Sequence, residues 1–254
     1  MTTSQTTRRT VLGGLAAVAA LGLPAATGTA AAAPVRDGRP GPKIGILLYD
    51  GFSLLDPTGP AELLSRLPGA TVTMIGERRG PVRTDTHRTA VFADRAVSEV
   101  DRLDVLLVPG AGDRGTIGAM HNPVLLDWIR RIHRHTTWTT SVCTGALILG
   151  AAGLLRERAT TYWASAPYLE ATFGVEYVPE RYVQVGKVIT AAGVSAGIDM
   201  ALFLAGKLAG EEVARAVQLA VEYDPRPPFD AGDAATASPQ LKELALRLLA
   251  ESQQ

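Results

Sequence analysis

Residues 136–155 read TTWTTSVCTGALILGAAGLL and hold the only cysteine of a 254-residue chain. The part before Cys143, TWTTSV, is short and rich in β-branched residues, which fits a buried strand. The part after it is a continuous apolar run of Ala, Leu, Ile and Gly, which fits a helix. Cys143 therefore falls on a strand-to-helix turn, where a side chain projects in the manner of the nucleophile elbow of hydrolases. The positive end of the helix and the free amides of its first turn predict a thiol of lowered pKa that alkylates readily. Gly145, two residues on, leaves room for the backbone to approach a substrate. The alternative is a cysteine that does no more than fill the core.

The same alternation extends in both directions from this turn. KIGILLY (43–49), ATVTMIG (70–76), VLLV (105–108) and VITAAGV (188–194) read as short buried strands. TGPAELLSRL reads as a helix opened by Thr58 as N-cap with Pro60 in its first turn. A second helix spans about Pro123 to His135, with Leu125, Leu126, Ile129 and Ile132 on one face. Two more, SAGIDMALFLAGKLAG and EEVARAVQLAVEY, precede a proline loop, DPRPPFDAG, and a terminal helix with Ser238 as N-cap. GPVRTDTHRTAVFAD suggests a small hairpin. Short buried strands alternating with amphipathic helices predict a doubly wound α/β sandwich with a mainly parallel sheet.

Ligands of such sheets bind beyond the carboxyl ends of the strands. Three of those ends carry unusual chemistry: Asp56 after the first strand, Pro109-Gly110-Ala111-Gly112 after the third, and Cys143. Asp56 has a modest role open to it, capping the helix at Thr58. Buried beside Cys143, it would instead be a carboxyl of raised pKa able to pass a proton. Glu62 is a rival acid, one turn further along. The glycines after Pro109 can aim backbone amides at a developing negative charge, or simply make a turn. His87, His121, His133 and His135 form no metal pattern, and the last two read as solvated groups at a helix end. No glycine-rich nucleotide loop follows a strand, so neither cofactor nor metal is expected.

Charge is balanced, with 25 basic and 25 acidic residues, which gives no footprint for nucleic acid. One cysteine rules out an internal disulfide and any multi-cysteine metal site. At the N-terminus, Arg8 and Arg9 precede an uncharged apolar run from Val11 to Leu23 and then small residues. This predicts a twin-arginine export signal over 1–33, a linker over 34–42 and one catalytic domain over 43–254. The mature protein is expected outside the cytoplasm, secreted or in the cell envelope, with no membrane partner.

LLDPTGP, VLLVPGAG, SVCTGALILGAAGLLRERATTYW, TAAGVSAGIDMAL and EYDPRPPFDAG, in this order, resemble the ThiJ/PfpI family of glutamine-amidotransferase-like proteins, and most of all its isonitrile hydratase branch. The resemblance runs from about Lys43 to Gly232. It implies a flavodoxin-like sandwich, a homodimer, and hydration of an isonitrile, R–N≡C, to an N-substituted formamide without a cofactor. It also implies Cys143 as nucleophile, Asp56 as acid/base and Thr144 as a supporting residue. Amides of Ala111 and Thr144 resemble an oxyanion hole, flanked by Gly110 and Gly112. Two positions depart from the family pattern. Ala111 stands where P-G-G is common, and Tyr162 replaces the histidine of T-T-H-W, so that Tyr162 and Trp163 read as pocket wall. Other cysteine chemistry on this scaffold (amidase, peptidase or glyoxalase-like) and a non-catalytic ligand-binding or redox-sensing module are the rival readings.

Overall fold

The computed structural model describes residues 40–253; the expected export signal and most of the expected linker lie outside them. In chain order the elements are β1 (Lys43–Leu47), α1 (Leu55–Leu64), β2 (Thr71–Gly76), β3 (Gly80–Arg83), β4 (Ala90–Ala93), β5 (Arg95–Ala96) and β6 (Val105–Val108). They continue with α2 (Asp113–Met120), α3 (Pro123–His133), β7 (Trp138–Val142), α4 (Gly145–Ala151), β8 (Arg158–Ala159), α5 (Ala166–Phe173) and β9 (Glu176–Tyr177). The chain closes with β10 (Tyr182–Val185), β11 (Val188–Ala191), α6 (Ala196–Ala209), α7 (Glu211–Ala220) and α8 (Pro239–Ser252).

One sheet carries the fold, in the order β10-β11-β7-β6-β1-β2-β5. Every pair in it is parallel except the hairpin β10–β11. The central strands thus follow the flavodoxin-like order, which turns back over β1 and leaves a crevice at the carboxyl ends of β1 and β6. Alternate side chains of β6 enter two separate cores. Leu106 and Val108 pack with Trp128, Ile129 and Ile148 on one face; Val105 and Leu107 pack with Leu63, Met200 and Leu204 on the other. A sheet covered on both faces needs such unbroken apolar strands, which is why VLLV was legible without any polar alternation.

Several boundaries differ from the sequence reading. Helix α1 begins at Leu55, ahead of Thr58, so Thr58 is not its N-cap. The Thr58 hydroxyl instead donates to the Leu54 carbonyl at 2.7 Å, and Pro60 lies inside the helix. Asp56 consequently sits in the first helical turn, facing inward. The glycine-rich run after β6 turns into helix α2 at once, with Gly112 as its N-cap. At α8, Ser238 caps as expected, accepting from the Leu241 amide at 3.2 Å.

Gly145 serves packing. A Cβ on it would lie 2.2 Å from the Val108 carbonyl oxygen and 2.8 Å from that of Pro109. The backbone it admits is the end of β6, not a substrate as the sequence suggested. Gly145→Ala must push α4 off the sheet, and a loss of about 3 kcal/mol is expected in a urea titration. A loss below about 1 kcal/mol would mean that the elbow tolerates displacement.

Candidate active site

Cys143 directly follows β7 with φ 57°, a left-handed conformation that non-glycine residues adopt at a cost. The neighbouring backbone holds it there. Its amide donates to the Ala191 and Ala192 carbonyls at 3.1 and 2.8 Å, and its carbonyl accepts the Thr161 hydroxyl at 2.9 Å. The residue is 5% exposed.

Asp56 is fully buried. Its Oδ2 accepts the Gly110 amide at 2.8 Å, while Oδ1 has no hydrogen-bond partner among the described residues. Gly110 brings this carboxyl to the cysteine: a Cβ on Gly110 would stand 2.7 Å from the Cys143 Cβ and 2.6 Å from the Thr144 amide nitrogen. Burial raises the Asp56 pKa from 3.8 to about 7, against the Gly110 hydrogen bond, which lowers it. The Tyr49 hydroxyl donates to the Pro109 carbonyl at 2.7 Å and pins the same loop.

The thiol itself does not fit the sequence expectation of a lowered pKa. Burial, and then the charge of Asp56, push Cys143 well above the ordinary thiol range. Amides of Thr144 and Val194 and the Thr144 hydroxyl act in the opposite direction without prevailing. The physical reason is that a short helix end in a dry pocket does not replace lost water, and a neighbouring carboxylate opposes a thiolate. Labelling of the free protein with iodoacetamide is therefore expected to stay slow at about pH 8 and accelerate only above the usual thiol range near pH 8.5. Rapid labelling at about pH 7, followed by mass spectrometry, would contradict it.

Thr144 organises the facing loop. Its Oγ1 lies 2.9 Å from the Ala111 amide, 3.0 Å from the Ala111 carbonyl and 2.8 Å from the Thr116 hydroxyl. The Ala111 amide, offered by the resemblance as an oxyanion donor, is thus already engaged by Thr144 in this structure. Gly112 faces elsewhere, since a Cβ on it would strike the Gln253 side chain at 2.2 Å. The amides aimed at the sulfur are those of Thr144 and Val194. Val194 escaped the sequence reading because a backbone donor leaves no mark in residue type. Thr144→Val should leave the Ala111 N–H buried and unsatisfied and destabilise by about 1–3 kcal/mol in denaturant, with Thr144→Ser close to wild type.

Glu62 pairs with Arg66 on the surface and takes no part. His133 is not solvated as expected: its Nδ1 lies 2.8 Å from the Thr139 hydroxyl, and burial, then Lys187, lower its pKa. Cys143 lies behind Thr161 and Ala192, which bond its backbone. These residues, with Tyr162, Trp163, Gly193 and Val194, line a cavity of about 680 Å³ whose wall does not include the buried cysteine itself. The Tyr162 ring packs on Gly193, whose Cβ would meet it at 3.3 Å. Among the described residues no histidine lines this cavity.

A buried acid and a cysteine elbow thus stand at the carboxyl ends of a sheet of central order β2-β1-β6-β7-β11. The sequence profile of the DJ-1/PfpI family matches residues 42–206. The chain belongs to the DJ-1/PfpI family. Among DJ-1/PfpI relatives, an isonitrile hydratase from Pseudomonas putida is 41% identical over 215 residues, which span 83% of this chain and 91% of the relative. The crystal structure of a ThiJ/PfpI family protein from Pseudomonas syringae superposes with a TM-score of 0.77 at 34% identity, covering 84% of this chain and 88% of the other. The family also reaches the HTH-type transcriptional regulator CdhR of Pseudomonas aeruginosa, 28% identical over 57% of this chain and 42% of the regulator. Isonitrile hydration and regulation therefore both occur among DJ-1/PfpI relatives.

Proposed function

We propose that this DJ-1/PfpI protein hydrates an isonitrile to an N-substituted formamide, with Cys143 as nucleophile and Asp56 as the group that carries the proton. The observation behind this reading is the Asp56 carboxyl: fully buried, held at one oxygen by Gly110, unpartnered at the other among the described residues, and beside the elbow cysteine. Asp56 titrates near neutrality while the thiol is pushed high. The pair therefore shares one proton at working pH. Asp56 takes that proton from the thiol as sulfur adds to the terminal isonitrile carbon, then returns it to the same carbon, giving a thioimidate, R–N=CH–S–Cys143. A water deprotonated by Asp56 adds to that carbon, the nitrogen gains a proton, and collapse releases R–NH–CHO and the thiol. Amides of Thr144 and Val194 steady the sulfur through both steps.

An amidase, peptidase or glyoxalase reading has less support, because Tyr162 stands where a histidine would serve it. Export, with residues 1–33 removed, and assembly as a homodimer are part of the proposal. Export rests on the paired arginines and the apolar run alone. The test is incubation of the protein with a simple alkyl isonitrile and detection of the formamide by mass spectrometry. Failure to form any formamide, with Cys143 intact, overturns the hydratase reading.

A further inference from the structure

The cavity lined by the Cys143 neighbours Thr161 and Val194 has a chemical character that the hydration reaction does not require. Tyr162 and Trp163 stand with ring centroids 5.4 Å apart and planes inclined at 56°, and Tyr177 lines the same cavity. Glu180, Arg181 and Asp233 line the same cavity. Arg181 is already matched: its Nε meets the Asp199 Oδ2 at 2.6 Å and its Nη2 the Ser195 hydroxyl at 3.2 Å. The other Asp199 oxygen accepts the Tyr223 hydroxyl at 2.7 Å. Glu180 and Asp233 make no ion pair among the described residues. Asp233 lies close enough to Tyr177 to raise the pKa of that phenol, after burial, which raises it most. Asp233 Oδ1 accepts the Ala235 amide at 2.8 Å, and the cavity thus carries two carboxylates without an ion-pair partner among the described residues, together with three aromatic rings.

Aromatic faces combined with carboxylates are the chemistry that selects an organic cation over a neutral group of the same shape. We infer that the substrate is an isonitrile whose R group ends in a cationic group, an alkylated ammonium, seated among Tyr162, Trp163 and Tyr177 and facing Glu180 and Asp233. The inference rests on the hydratase reading of the same site, and it adds the substrate class. Because these groups meet the part of the substrate remote from the reacting carbon, they act on binding and so on KM, not on kcat.

The experiment compares a trimethylammonium-terminated alkyl isonitrile with its tert-butyl-terminated isostere of equal chain length, using the intact protein and the double variant Glu180→Gln, Asp233→Asn. A preference for the cation of about tenfold in kcat/KM is expected in the intact protein. It should lie in KM, weaken in high salt and fall toward parity in the double variant. Parity in the intact protein, or a preference that survives in the double variant, overturns the inference. Binding of hexyltrimethylammonium, followed by calorimetric titration of both proteins, separates the two readings. Binding lost in the double variant, with no isonitrile turned over, would keep the cationic pocket and discard the hydratase. Turnover of both isonitriles with no ammonium binding would do the reverse.

Discussion

Replacement of Cys143 by alanine is expected to abolish formamide production, by at least about a thousandfold, with the fold intact. No other thiol exists in the chain to take over, and water alone lacks a nucleophile of comparable strength at the isonitrile carbon. Folding should survive because the 5% exposed side chain is small and the turn is held by backbone hydrogen bonds to Ala191 and Ala192. A second variant separates chemistry from strain. Alanine keeps the unfavourable φ of 57°, whereas glycine relieves it, so Cys143→Gly should be about 1 kcal/mol more stable than Cys143→Ala, and equally inactive. Equal melting temperatures would show that the turn stores no strain. Formamide made at an undiminished rate by either variant would remove Cys143 from the reaction.

Asp56→Asn is expected to lower kcat/KM by about a hundred- to ten-thousandfold, since asparagine keeps the Gly110 contact but cannot exchange a proton. In the intact protein the rate should rise with pH through about 7, where a surplus proton leaves the Asp56–Cys143 pair. It should hold at higher pH because the thiol is pushed up. Stability moves the other way. The folded-state pKa of Asp56 exceeds its ordinary 3.8, so the folded protein holds this proton more tightly than the unfolded chain. Between about pH 4 and pH 7 its contribution to stability falls as pH rises. Above that window the ionised, buried carboxylate carries a fixed penalty of roughly 4 kcal/mol. Asp56→Asn removes the titration, so the variant should melt higher than wild type at about pH 8 and alike near pH 4. A variant less stable than wild type at about pH 8 would mean that the carboxylate is better solvated than its burial implies.

Much of the fold was legible because the strands are buried on both faces and read as plain apolar runs, as in VLLV and KIGIL. Helix α2 was not, since Gly112, Gly115 and Gly118 weaken every propensity signal. Strand β10 was not, because an antiparallel edge strand of four residues is set by its hairpin partner β11 and has little pattern of its own. At the site, the sequence placed Asp56 and the pair Cys143-Thr144 at two separate strand ends, and the sheet order, with only β6 and its Gly110 loop between β1 and β7, brings them together. It misjudged the thiol because helix polarity is visible in sequence and desolvation is not. It also left the Val194 amide unseen, together with the use of the Ala111 amide by Thr144, since both depend on where the backbone passes.

The wall of the cavity beside Thr161 and Val194 includes Gly232, Asp233, Ala234 and Ala235, which fall beyond the segment 42–206 matched by the family profile. The reacting groups Asp56, Cys143, Thr144 and Val194 all lie within it. Of the groups proposed to face the cation, Asp233 alone lies outside that segment; Tyr162, Trp163, Tyr177 and Glu180 share it with the chemistry. Exchange of the loop after α7 would therefore alter one of the two carboxylates of the cavity and leave its aromatic wall and the Asp56–Cys143 pair in place.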